Sequence, residues 1–273
     1  MLPSEKRTGE YHIGMIGTGV MGQAVIETLL KAGLSPDRIS FTRKRRELDG
    51  EISQRFGITA KPLTELVKSS DLIFLATKPQ DLIALLGTIK EFLTPEKILV
   101  SLAAGKKTSA IEAAVGGENP VIRVMPNTPM VVGEGISAIS PGKHVQATDL
   151  EWVRTVLSAG GTAIVIDESL QDAVTAMSGS GPAYFFAFIE AMVAAGTKLG
   201  LEEDVATELA IATIKGAAVM LEESGKSATT LRENVTSPNG TTAAALARFS
   251  EGGLAELVEG AMRAARDRSV ELG

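Results

Sequence analysis

Three glycines set between an apolar run and an amphipathic stretch constrain this chain more than any other feature. Tyr11-His-Ile-Gly-Met-Ile16 leads into Gly17-Thr-Gly19-Val-Met-Gly22, and Gln23–Ala32 carries helical spacing. Each glycine has a mechanical part in such a unit: Gly17 permits the tight strand-to-helix turn, and Gly19 lets a pyrophosphate approach the backbone. Gly22 lets helix and strand pack closely, and the helix start attracts the anion. GxGxxG alone is a weak sign; between a strand-like run and a helix it points to dinucleotide binding, with a structural glycine turn as the alternative.

About 20 residues beyond the third glycine, an NAD-specific unit places an acidic residue on the ribose hydroxyl. Here the sequence reads Thr42-Arg43-Lys44-Arg45-Arg46. Such a basic run suits the 2′-phosphate of NADPH, with Arg43 the leading candidate, unless it is a solvated loop. NADH remains the alternative cofactor.

Further strand-like runs lie at Ile39–Phe41, about Thr59, Asp71–Ala76, Lys97–Ser101, Val121–Val124, Gly135–Ile139 and Thr162–Ile166. Helical spacing between them predicts a doubly wound sheet, whose ligands bind beyond the carboxyl ends of the strands. Thr77-Lys78-Pro79 and Leu102-Ala-Ala-Gly105 follow two of these strands and belong to that edge. Lys78 reads equally as a phosphate partner or a solvated lysine. In Met125-Pro126-Asn127-Thr128-Pro129 two prolines stiffen a turn, and Asn127 can address a nicotinamide carboxamide or simply hold the turn.

From Ser169 the pattern becomes helical and rich in alanine and glycine. Ala183–Leu199 carries Phe185, Phe186, Phe188, Ile189, Met192 and Val193, and reads as a helix buried on most sides. So thin a helical core suggests an intertwined homodimer. Thr236-Ser237-Pro-Asn-Gly240-Thr241-Thr242 then places hydroxyls beside the unpaired N–H groups of a helix start. That combination suits a small carboxylate; an ordinary capped helix is the alternative.

Composition narrows the chemistry. A net charge of −6 argues against nucleic-acid binding, and the absence of cysteine removes disulfides, thiolate metal sites and cysteine nucleophiles. With two histidines, His12 and His144, a histidine-based metal site or triad is not expected. His12 reads as a strand residue beside the cofactor turn. No run approaches the roughly 18 apolar residues of a membrane span, and the polar first ten residues lack the apolar core of a signal peptide. A cytoplasmic protein is expected, with residues 1–10 a flexible extension, 11–168 a dinucleotide-binding domain and 169–273 a helical dimerisation and substrate domain.

Together these segments resemble pyrroline-5-carboxylate reductase, most specifically through Met125–Pro129, Met177-Ser-Gly-Ser-Gly-Pro-Ala183 and Asn234–Thr242. The resemblance implies a Rossmann-type α/β domain followed by an all-helical dimerisation domain, with dimers that assemble into decamers. It implies cofactor contacts at Gly17, Thr18, Gly19, Val20, Met21, Gly22, Arg43, Ala76, Thr77, Lys78, Pro79, Leu102, Ala103 and Ala104. The substrate carboxylate is then held near Ser237 and the amides of Gly240, Thr241 and Thr242, with Thr242 facing the ring nitrogen. Hydride would pass from NAD(P)H to the C=N carbon of L-1-pyrroline-5-carboxylate, giving L-proline without a strong acid or a metal. Two positions depart from the family pattern: Leu63 stands where members carry an asparagine, and Asn239 occupies a turn position that is glycine in some members. A reductase of another imine or β-hydroxy acid, or a non-catalytic NADP-binding sensor or scaffold, are the competing readings.

Overall fold

The computed structural model describes residues 11–273, so the extension expected over 1–10 lies outside the described residues. Two compact units divide the described residues: Gly181–Ala264 forms one, while residues 11–180 and Ala265–Gly273 form the other.

The first unit begins β1 (Ile13–Ile16), α1 (Val20–Lys31), β2 (Ile39–Thr42), α2 (Asp49–Phe56), β3 (Thr59–Ala60), α3 (Leu63–Ser69), β4 (Leu72–Leu75) and α4 (Pro79–Ile89). It continues through β5 (Ile98–Ser101), α5 (Thr108–Val115), β6 (Val121–Met125), β7 (Gly135–Pro141), α6 (Ala147–Leu157), β8 (Gly161–Val165) and the short α7 (Gln171–Val174). The sheet order is β3-β2-β1-β4-β5-β6-β7-β8. Strand succession reverses at β1, between β2 and β4, which is where a doubly wound sheet opens its ligand crevice.

Apolar runs without alternation become strands covered on both faces. In β4, Leu72 and Phe74 join one buried layer with Val25, Leu29 and Trp152. Ile73 and Leu75 join the other with Leu66, Leu86 and Ile111. Phe41 and Phe74 retain no exposure; truncation of either to alanine costs about 3–5 kcal/mol.

β6 and β7 pair antiparallel, and β8 runs parallel to β7, so the last two strands oppose the other six. The cause is the length of the link. Pro126–Glu134 holds only a 3₁₀ turn, Thr128–Val132, whereas a parallel return needs a crossover of about a dozen residues or more.

The change of pattern expected at Ser169 does not coincide with the compact-unit division. Residues 169–180 stay with the sheet because Gln171 is fully buried there, donating to the Ala138 carbonyl and Ser140 Oγ at 3.2 and 2.9 Å. The chain then widens into a π turn over Thr175–Gly179.

The helices of the second unit are α8 (Gly181–Lys198), α9 (Glu203–Glu223), α10 (Ala228–Asn234), α11 (Thr241–Glu251) and the first part of α12 (Leu254–Leu272). Small residues bring α8 and α9 together: a Cβ on Gly196 would lie 3.3 Å from that of Ala206. The expectation that α8 is buried on most sides is corrected for the single chain, where Phe185 and Phe186 are 61 % and 62 % exposed. α8 packs on α9 along one side, and Phe185 and Phe186 lie outside that contact. No helix among the described residues is long and apolar enough to cross a membrane.

Candidate active site

The glycine turn joins three strand ends. Gly17 N–H donates to the Thr42 carbonyl at 2.9 Å, and Ala76 N–H donates to that of Ile16 at 2.9 Å. These bonds set Arg43 and Thr77 on either side of the turn. Gly17 has φ +101°, and a Cβ there would overlap the Ala76 carbonyl oxygen. A Cβ on Gly22 would overlap the Gly17 carbonyl, whereas one on Gly19 would meet open space. The tight turn at Gly17 and the close packing at Gly22 are thus as expected, and the space beside Gly19 is open. Gly19 is the N-cap of α1 and no side chain caps that helix, so its first N–H groups remain open to an anion.

Two further observations fit a dinucleotide. The hydroxyls of Thr18 and Thr77 are buried without a hydrogen-bond partner, a state that ordinary folding avoids. Within the basic run, Lys44 pairs with Asp81 at 2.9 Å and Arg46 with Asp49 at 3.5 Å. Arg43, half-buried, and Arg45, exposed, make no ion pair with any described residue. The residues present thus suit a phosphorylated dinucleotide, with Arg43 and Arg45 as its free cations.

The remaining expected positions divide by environment. Val20 is 67 % exposed and Met21 packs on the core. Lys78 is exposed at the N-cap of α4, next to Pro79 at its first position. Ala103 is buried in a core layer and Leu102 packs against the other, while Ala104 is half-buried. Asn127 accepts the Ile136 N–H on Oδ1 at 2.9 Å, so at least half of its amide holds the turn. Leu63 packs against the core.

Neither histidine reaches this edge of the sheet. His12 precedes β1, where its N–H bonds Asp71 Oδ2 at 2.8 Å, so its expected place beside the glycine turn is corrected to the opposite end of the strand. His144 follows β7, whose carboxyl end pairs with the start of β6 because the two run antiparallel. Lys97 also belongs to that opposite edge; burial pushes its pKa down, and its Nζ donates to the Lys68 and Ser70 carbonyls at 3.1 and 2.6 Å. Among the described residues, no group of three or more His, Asp or Glu side chains gathers as a metal site requires.

In the second unit, the turn before α11 holds its shape through two residues. Asn239, at φ +58°, is the one described non-glycine residue with a left-handed backbone, which a short polar side chain tolerates. At Gly240 a Cβ would crowd Ser237 Oγ, so a side chain there would require that hydroxyl to turn away. The Gly240 N–H donates to the Ser237 carbonyl at 3.0 Å, and Ala244 N–H donates to the Gly240 carbonyl at 3.1 Å, so the open donors are those of Thr241, Thr242 and Ala243. Most helices here start without a side-chain cap, α1, α4, α5 and α6 among them, and α10 is an exception. There Ser227 caps the helix, accepting the Thr230 N–H at 3.1 Å. At α11, as at most of the others, no side chain caps, and its first amides are left open.

Comparison with known proteins agrees with both halves. Residues 168–272 match the family model for pyrroline-5-carboxylate reductase dimerisation, and residues 12–105 match that for NADP oxidoreductase, coenzyme F420-dependent. Pyrroline-5-carboxylate reductase of Corynebacterium melassecola is 40% identical over 265 residues, 96% of this chain and 98% of that protein. The Pseudomonas aeruginosa protein of the same name is 40% identical over 95% of this chain and 96% of its own length. Among solved structures, Plasmodium falciparum pyrroline carboxylate reductase with NADP bound superposes with a TM-score of 0.89 at 31% identity, covering 97% of this chain and 98% of that one. With a Rossmann-like sheet, an all-helical second unit and this extent of identity, the chain belongs to the pyrroline-5-carboxylate reductase family.

Proposed function

We propose that this protein reduces L-1-pyrroline-5-carboxylate to L-proline with NADPH, holding the substrate carboxylate at the uncapped start of α11. The observation that carries the substrate reading is the gathering of open amides and hydroxyls at that one turn, from Thr241 and Thr242. Ser237 adds a third hydroxyl, which a side chain at position 240 would displace. Thr242 hydrogen-bonds the ring nitrogen without having to act as a strong acid, because a protonated ring imine already carries an electrophilic carbon.

Bound NADPH supplies the hydride. The first N–H groups of α1, with Thr18 and Thr77, hold its pyrophosphate, and Ala76–Pro79 and Leu102–Ala104 border the rest of the molecule. Asn127 orients the carboxamide with the part of its amide that the turn leaves over. Arg43 takes the 2′-phosphate, with Arg45 beside it. The protein's contribution is mainly alignment, an effect that supplies several kcal/mol of barrier reduction. Oxidation of NADPH in the presence of pyrroline-5-carboxylate, beside other imines and keto acids, tests the assignment. Turnover of the pyrroline far above the others is expected; turnover of none would leave only a nucleotide-binding protein.

Arg43→Ala is expected to raise KM for NADPH about tenfold while leaving KM for NADH within about threefold, a charged hydrogen bond contributing about 1.5–3 kcal/mol before solvent screening. Equal effects on both nucleotides would return Arg43 to the solvated loop.

The same proposal includes a homodimer formed through the second unit, and a cytoplasmic place of work. Exposed Phe185, Phe186, Leu209 and Met220 support the dimer, since an apolar surface of this kind marks an interface. Sedimentation at micromolar concentration is expected to return the mass of a dimer or of five dimers. A stable monomer would overturn this part.

A further inference from the structure

Arg123 is 2 % exposed, a cation inside a strand otherwise made of Val, Ile and Met. It lies beside Ser101, the last residue of β5. Its guanidinium reaches Asp172 Oδ1 at 3.1 Å and Glu168 Oε1 at 3.7 Å. Asp172 Oδ1 also accepts the hydroxyl of Ser269, in the last turns of α12, at 2.8 Å. Glu168 accepts the N–H and the hydroxyl of Thr108, at the start of α5, both at 2.7 Å.

The same end of α12 closes on the segment after β5. A Cβ on Gly105, at φ +76°, would overlap the carbonyl oxygen of Ser269. Lys106 Nζ donates to the Gly273 carbonyl at 2.8 Å. Leu102–Gly105 is therefore held at one end by β5 and at the other by Thr108, with the end of α12 packed against Gly105. A buried cation keeps its place only while its partners do, so these segments are coupled through Arg123.

We propose that this network is a brace for cofactor binding, with Ser269 and Gly105 as positioning residues that hold Leu102–Ala104 in the shape the dinucleotide requires. The proposal rests on the reading that Leu102–Ala104 border the cofactor. Supporting groups of this kind act by locking the geometry of the groups in contact with the ligand.

The test uses Ser269→Ala, Gly105→Ala and Ala104→Glu in the full chain. NADPH affinity by fluorescence titration, both KM values, kcat and Tm are measured. Ser269→Ala removes one hydroxyl and leaves the Arg123–Asp172 pair, so it carries the test even if Gly105→Ala fails to fold. Ser269→Ala is expected to weaken NADPH five- to tenfold, with kcat and KM for pyrroline-5-carboxylate within about twofold. A lowered Tm with both KM values unchanged would make the network purely structural and overturn the proposal. Ala104→Glu sets a carboxylate beside the expected phosphates and should weaken NADPH in its turn. If it does while Ser269→Ala does not, the segment touches the cofactor but is not braced, and the proposal alone fails. If Ala104→Glu binds NADPH normally, the underlying reading of Leu102–Ala104 fails, and the proposal with it.

Discussion

Gly17→Ala is expected to weaken NADPH about a hundredfold, a loss near 2.7 kcal/mol. Two costs combine at this position. Alanine must adopt φ +101°, where a side chain costs about 1–2 kcal/mol. Its Cβ would also overlap the backbone oxygen of Ala76, which no rotamer change can relieve. Relief requires β1 and β4 to part at their carboxyl ends, or the turn to swing away from the start of α1. Either movement misaims the open N–H groups of that helix, and overpacking of a tight site costs a further 1–3 kcal/mol. Fluorescence titration with NADPH gives the loss directly, with Tm alongside to separate local distortion from unfolding. An affinity within about threefold of the parent would mean that the turn does not hold the pyrophosphate. Gly19 is the informative control, because its Cβ would point into open space. Gly19→Ala should leave Tm unchanged, so any loss of affinity there reports contact with the ligand.

Thr242→Ala is expected to lower kcat/KM for pyrroline-5-carboxylate at least tenfold, about 1.4 kcal/mol, with NADPH affinity near that of the parent. Thr242 is the second residue of α11, half-buried, and its hydroxyl makes no hydrogen bond to any described residue. Folding therefore has little claim on it, and Tm should move by no more than a degree or two. A loss in kcat would place the hydroxyl on a group whose charge changes during hydride transfer; a rise in KM alone would place it on the carboxylate. Thr242→Ser should recover most of the activity, since it keeps the hydroxyl and loses only a methyl. Unchanged turnover in Thr242→Ala would remove this residue from the site.

Much of the first unit was legible because its instructions are local. Glycine spacing, four-residue apolar runs and turn-forming prolines act on immediate neighbours, and the strands and helices formed within a residue or two of where those signals lie. Ile39–Thr42 and Val121–Met125 illustrate this. Asn239, which stands where some family members have glycine, takes the left-handed backbone that such a position requires. Other features depended on residues far apart in the chain. Lys44 lies beside Asp81, which takes it out of the set of free cations and leaves Arg43 and Arg45. No spacing rule connects positions so far apart. The exposure of Phe185 and Phe186 was missed because an apolar helix has the same sequence pattern whether its cover comes from its own chain or from another.

Arg123 did carry a signal, a charge in the middle of an apolar strand. Its meaning depended on Asp172 and Ser269, which the fold brings from the rim of the sheet and the end of α12.

By itself, then, the sequence determined the glycine turn, its basic partner and the helix start at Thr241, since each is set by backbone preferences over a few residues. Only the tertiary structure decided which cations of the basic run remain unpaired and which carboxylates the buried Arg123 meets. Those outcomes follow from competition among distant groups for the same partners, and a buried donor or charge is settled only when the whole fold has assigned it one.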